Sequence, residues 1–285
     1  MAITELTQSM VNMYSRCGYQ FYMRYIKGIV LPPGVSARKG SSVHAGAEHG
    51  YRTYIATGSL PPVDEVTDAA RDEFVKLVND EGVWLADDEV PDKNEILRTA
   101  QTEAIASAKS YRVNIAPTHH KVGLVEERLY ADLGMGVPIS GKPDVVADHK
   151  MPDIKTAGKR WSKGVEQHKI QPVLYNVLLR ENGYGSDIEA EFIVMTNPKS
   201  RPKDQDVIWD KESEVCIDIR RVPYSKEKED SVLSRVRTTW DAIQKGGFPP
   251  ADPEHWVCTP QFCGYASKMC PYYCGAVSVS VPTDI

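Results

Sequence analysis

No stretch of this 285-residue chain is apolar for long enough to cross a bilayer, and its first residues lack the basic-then-apolar order of a secretory leader. Both absences lead us to expect a cytoplasmic protein with no membrane partner. The chain also lacks an internal repeat, a low-complexity tract or a linker that divides it, so we read it as a single domain over 1–285. A phosphate-cradling G-x-x-x-x-G-K sequence is missing, which removes a built-in ATP-driven motor from the expected functions. Nor is there a surplus of positive charge. The net charge of −5 argues against coating nucleic acid non-specifically. It does not exclude an enzyme that gathers acidic side chains around divalent cations and keeps positive charge along one track. What remains is ordinary globular material, 41% hydrophobic and 26% charged, enough to bury a sizeable core.

Residues Leu6 to Ile26 are rich in aromatics and read as helix interrupted near Gly18. Val66, Ala70, Phe74, Leu77 and Val78 recur at helical spacing, as do Leu97, Ala100, Ala104 and Tyr111, so 45–118 is expected to be a helical insertion. The period then changes. Gly123 to Tyr130, Val137 to Ala147 and Pro152 to Thr156 read as successive short strands between Gly, Pro and Asp turns. A helix over Gln171 to Arg180 precedes Asn182-Gly183, the compact run Ala190 to Thr196 suits a buried strand, and Val215 to Val222 suits another. Ser225 to Lys245 reads as a helix stopped by Gly246 and Gly247. The expected class is α/β: a mixed central sheet flanked by helices, a helical N-terminal region, and a cysteine-rich segment at 253–275.

Chemistry concentrates where that sheet begins. Asp153 and Lys155 in Asp-Ile-Lys-Thr are two apart, so on a strand they share a face with about 7 Å between them along the chain. Asp144, in Gly-Lys-Pro-Asp, can bring a second carboxylate beside Asp153 from the preceding strand. Two carboxylates make a hard-oxygen shell suited to Mg²⁺ or Mn²⁺. A cation there would polarise a phosphodiester and acidify water, while Lys155 offsets developing charge. A lone D-x-K is more often a solvated hairpin face. Its surroundings add weight: His44 follows Gly40-Ser-Ser-Val, Glu126 lies on the strand before Asp144, and Gln171 and Tyr175 share a helix face. Lys155, Lys159, Arg160, Lys163 and Lys169 form a local basic run, with Trp161 beside it as a stacking surface or an ordinary partly buried tryptophan.

Four of the six cysteines crowd into Cys258, Cys263, Cys270 and Cys274, which points to metal rather than disulfides; Cys216 fits a plain buried thiol. The tail alone could form a zinc site, since tetrahedral Zn²⁺ takes four thiolates.

In this order, Cys17 with Tyr19-Gln-Phe-Tyr22, Gly40 to His44, Gly141 to Asp144, Asp153 to Thr156 and Gln171 to Tyr175 resemble the RecB-like branch of the PD-(D/E)XK nucleases. That branch includes AddB and the CRISPR-associated RecB-like exonucleases with cysteines at both ends. The resemblance implies a restriction-endonuclease-like core and a Mg²⁺- or Mn²⁺-dependent DNA exonuclease of repair, recombination or phage- or CRISPR-type DNA processing. It implies metal ligands at His44, Asp144, Asp153 and the Ile154 carbonyl, with Lys155 as catalytic lysine and Gln171 and Tyr175 on DNA. Substrate would be DNA with a free end and single-stranded character, with a recombination or DNA-processing protein as partner. It further implies a 4Fe-4S cluster that ties the tail to Cys17. The tail spacing departs from the family's C-x2-C-x5-C; Cys17 with Cys258, Cys263 and Cys270 preserves its short and long gaps best and leaves Cys274 spare. A structural zinc site is the alternative, and a DNA-binding or assembly subunit that keeps the fold is the alternative function.

Overall fold

A computed structural model describes residues 3–185, 188–204 and 206–273; Cys274 lies outside them. Strand β1 (Leu6–Thr7) leads into α1 (Gln8–Arg16), whose first turn is capped by the Thr7 hydroxyl accepting from the Met10 N–H. The expected interruption falls one residue early. Cys17 is extended, ends α1, and its sulfur caps α2 (Gly18–Phe21), which runs on through a π-helical turn at Tyr22–Ile26.

Helices α3 (Val35–Thr57), α4 (Val63–Lys76) and α5 (Lys93–Asn114) lie against one another. Gly46 makes the α3–α4 approach possible, because a Cβ there would sit 2.9 Å from the Val66 carbonyl oxygen. Helix α3 runs unbroken through residue 45, so the helical segment after it is a direct continuation of the helix that carries His44.

The strands follow: β2 (Val122–Val125), β3 (Leu129–Ala131), β4 (Ile139–Gly141), β5 (Val145–Ala147) and β6 (Lys150–Thr156). Then come α6 (Gln171–Glu181), β7 (Glu189–Thr196), β8 (Ile208–Asp210), β9 (Val215–Val222), α7 (Lys226–Gln244) and α8 (Ala266–Met269). Six strands form one sheet in the order β2-β5-β6-β7-β9-β8, and β1-β4-β3 form a smaller one. Among the described residues, only β6 and β7 are parallel neighbours in the large sheet, and α6 makes the crossover between them. Along β7, Phe192 and Val194 enter one apolar cluster with α6 and α7, while Ile193 and Met195 enter another beneath α3 and α5. Both faces of this strand are buried, as its continuous apolar run requires.

Two strands expected to be continuous are each split. Gly123 to Tyr130 becomes β2 and β3, and Val137 to Ala147 becomes β4 and β5, with the members of each pair in different sheets. The first break is at Glu126, which adopts φ 49, and the second at Lys142-Pro143-Asp144, where proline cannot donate to a ladder. The Gly-Lys-Pro-Asp turn is thus the point where the chain returns to the large sheet. Strands β1 and β8 were not expected; two or three residues carry too little pattern.

The tail lies on the N-terminal region. Gly264 sits under Trp84 and Leu31, where a Cβ would come within 2.9 Å and 2.7 Å of their side chains, and the Tyr265 hydroxyl donates to the Ile29 carbonyl at 2.6 Å. Among the described residues no helix is long and apolar enough to cross a membrane.

Candidate metal centre

His44 comes from the middle of α3, Glu126 from the end of β2, Asp144 from the turn before β5, and Asp153, Ile154 and Lys155 from β6. Donor atoms of His44, Glu126 and Asp144 all fall within 4.8 Å of one another. His44 Nδ1 is 3.2 Å from Asp144 Oδ1 and 3.4 Å from Glu126 Oε1, while its Nε2 lies 2.9 Å from the Ile154 carbonyl oxygen. Asp144 is anchored from behind: its Oδ2 accepts the Ile154 N–H at 2.6 Å. Asp153 sits beside this group, its Oδ1 accepting from Gln171 Nε2 at 2.6 Å and its Oδ2 ion-paired with Lys155 Nζ. The expected His44, Asp144, Asp153 and Ile154 are therefore brought together, but Glu126 shares the tightest group. Sequence reasoning placed Glu126 only as a neighbour. Its signal is visible only in three dimensions, at the left-handed residue where the chain leaves the large sheet.

The charges are strongly coupled. Burial alone would lower the His44 pKa, but Asp144, by charge and hydrogen bond, and Glu126, by hydrogen bond, hold it up at about 10. Burial raises Asp153 to about 6 against the pull of Lys155, with Asp144 pushing the same way as burial. For Asp144 burial is outweighed by His44, Lys155 and the Ile154 amide, and its pKa is lowered. Burial opposes the charge on Lys155, yet Asp153 and Asp144 raise its pKa, so the ammonium stays charged.

Three carboxylates, an imidazole and a backbone carbonyl form an oxygen-rich set that suits Mg²⁺ or Mn²⁺. Asp153 Oδ2 is buried against the Lys155 ammonium, and His44 joins the carboxylates by carrying a proton that a cation would replace. Sharing the site with protons has a consequence for pH. Cation binding must displace the His44 proton and requires Asp153 ionised, so affinity rises with pH, by about tenfold per unit for each proton released. Mn²⁺ titrations by calorimetry at about pH 6 and about pH 8 should show much tighter binding at the higher value. Equal affinity at both would remove His44 and Asp153 from the ligand set.

Gln171 is the first residue of α6, and Ile170 occupies the cap position. Pro172 falls in the first turn, where its missing N–H is harmless. Tyr175 is buried, in hydrogen-bond contact with Gln171 and the Lys142 backbone. It packs on Gly141, where a Cβ would lie 2.6 Å from the Tyr175 ring. Of the basic run, Lys155 is paired with Asp153, and Arg160 with Asp204 at 2.5 Å and Asp218 at 3.2 Å; Lys159 and Lys163 are exposed.

A second cluster lies at the chain's ends. Cys17, Cys258, Cys263 and Cys270 line one cavity together with Tyr19, Val257, Tyr265 and Tyr272, while Cys216 is fully buried in β9. Cys17 Sγ accepts the Gln20 and Ala251 amides at 3.4 Å and 3.3 Å. Burial, then the charges of Cys17, Cys263 and Cys270, push Cys258 up to about 11. Among the described residues no three of these sulfurs lie within 4.8 Å of one another.

No curated protein matches the chain. Among solved structures, one described as "Crystal structure of SSO0001" is similar at 12% identity, covering 93% of this chain and 96% of its own, with a TM-score of 0.35. The model of the PD-(D/E)XK nuclease superfamily matches residues 5–272, nearly the whole length and every residue of the metal centre. The chain belongs to the PD-(D/E)XK nuclease superfamily.

Proposed function

We propose that the protein is a Mg²⁺- or Mn²⁺-dependent DNA exonuclease of the RecB-like type, hydrolysing phosphodiester bonds at DNA ends in repair, recombination or phage- or CRISPR-type DNA processing. The observation that carries this reading is the convergence of His44, Glu126 and Asp144 within 4.8 Å, with the buried Asp153–Lys155 pair alongside. His44, Asp144, Asp153 and the Ile154 carbonyl, joined by Glu126, would hold the cation. When bound, a divalent cation polarises the phosphodiester and acidifies water. Lys155 presents a fixed positive charge to the reacting phosphate rather than acting as a base, because its carboxylate neighbours keep it protonated. Gln171 fixes the rotamer of Asp153, and Tyr175 braces Gln171 against the Gly141 turn. With Tyr175 buried behind it, the partly exposed amide of Gln171 would be the part of this pair that reaches DNA.

End-labelled single- and double-stranded DNA and circular controls, incubated with Mg²⁺ or Mn²⁺, test the reading directly. Loss of label from linear substrates with circles intact supports it; inert linear DNA rejects it. Within it, Gln171→Ala should lower activity by about 10–100-fold, the usual range for a residue that orients a ligand, and Asp144→Ala by more. A Gln171→Ala enzyme with normal turnover and normal metal activation would remove that role.

For the cysteine cavity we propose a 4Fe-4S cluster on Cys17, Cys258, Cys263 and Cys270. A 4Fe-4S cluster takes four thiolates, the number that line this cavity. Cys17 facing three tail cysteines also favours it over a zinc site closed within the tail.

A further inference from the structure

The loop joining β6 to α6 leaves the catalytic strand just after Lys155 and returns just before Gln171, so its side chains border the metal centre. It is held rigidly. Arg160 reaches Asp204 and Asp218, and Arg220 Nη2 donates to the Trp161 carbonyl at 3.3 Å and to Asp218 at 2.6 Å. This fixes Trp161, whose ring meets Phe192 edge-on at 5.1 Å. The two rings form a ledge with a lysine on each: Lys155 Nζ lies 5.7 Å from the Phe192 centroid, and Lys169 Nζ 5.0 Å from the Trp161 centroid.

The two lysines differ in what they face. Lys155 is ion-paired with Asp153, whereas half-buried Lys169 has no carboxylate partner among the described residues. A half-buried ammonium resting on an indole face and sharing a ledge with another ammonium is short of negative charge. Burial, and then Lys155, lower its pKa accordingly. The indole face offsets only part of that shortage, so an anion beside the ammonium would be stabilised.

We propose that Lys169, seated on Trp161, is a second phosphate-binding lysine that holds the DNA phosphate neighbouring the one cleaved beside Lys155. This rests on the nuclease reading above. It gives the enzyme grip on one strand through two successive phosphates, with the aromatic ledge setting the spacing between the lysines. Contacts of this kind fix register without reading sequence.

Kinetics on end-labelled oligodeoxynucleotides with Mn²⁺, over a range of salt, test it with Lys169→Gln and Lys169→Arg. Lys169→Gln should raise KM about tenfold with kcat little changed and reduce the salt-dependence slope by about one, and Lys169→Arg should restore most of both. A substrate with one uncharged methylphosphonate next to the scissile linkage should be penalised by the wild type but not further by Lys169→Gln. An unchanged KM and salt slope in Lys169→Gln, or a full methylphosphonate penalty in that variant, would overturn the proposal while the nuclease reading stands. A wild type that cleaves no DNA under Mg²⁺ or Mn²⁺ would overturn both.

Discussion

Asp153→Asn, Asp153→Ala and Lys155→Ala are each expected to lower DNA cleavage by about two to three orders of magnitude, with the fold retained. The asparagine variant is the sharper tool. It keeps the shape of Asp153 and an oxygen for Gln171 to donate to, and it replaces the oxygen that faces Lys155 by an uncharged amide. Loss of activity in that variant is therefore loss of the carboxylate's charge and of its pairing with Lys155, not of packing. The two positions separate in metal binding. Asp153→Asn should weaken Mn²⁺ affinity along with turnover, while Lys155→Ala removes a competing cation from the same carboxylate and should bind Mn²⁺ at least as tightly as wild type. Circular dichroism and thermal melts establish the fold, calorimetry the metal, and gel assays the rate. Full cleavage by either variant would eliminate the assignment of these residues to the reaction.

Cys17→Ser is expected to bleach visible absorption, release iron and lower the melting temperature. If Cys17 and three tail cysteines share one cluster, the metal closes a loop that spans most of the chain, and releasing so long a loop is on the order of 5 kcal/mol by chain entropy. For a protein of this size that corresponds to a loss on the order of 10 °C. Cys274→Ser should change little. A zinc site confined to the tail predicts the reverse: a colourless protein, a Cys17→Ser variant with normal metal content, and a Cys274→Ser variant that loses it. Iron, zinc and acid-labile sulfide in anaerobically purified wild type and both variants decide between them. Colourless, zinc-containing wild type with unchanged metal in Cys17→Ser would defeat the cluster and leave the nuclease reading untouched.

Much of the site could be read from local pattern because its parts sit on regular elements. Asp153 and Lys155 meet because alternation on β6 puts them on one face, and Gln171 and Tyr175 because four residues on α6 do the same. What stayed hidden depends on tertiary placement. Glu126 joins His44 and Asp144 only because the chain changes sheets at both carboxylates. Tyr175 is buried because Gly141, two elements away in the chain, leaves room for its ring. Arg160 belongs to a run that looks uniformly basic, yet Asp204 and Asp218 claim it. The two split strands share a cause with Glu126: periodicity of two continues across a bend and does not reveal that the hydrogen-bonding partner has changed.

The cavity lined by Cys17 and the three tail cysteines also constrains when the molecule can be finished. Its walls come from Cys17, Tyr19 and Gln20 on one side and from residues 250–273 on the other, so they cannot meet until that later segment has left the ribosome. The metal-centre residues, from His44 to Tyr175, are all synthesised well before Val257 and Tyr265 complete the other site. If the proposed cluster binds there, it is loaded only after the residues of the metal centre have been synthesised. Protein without that cluster would then keep its metal-centre residues together while the segments around Cys17 and Cys258 are left unfastened.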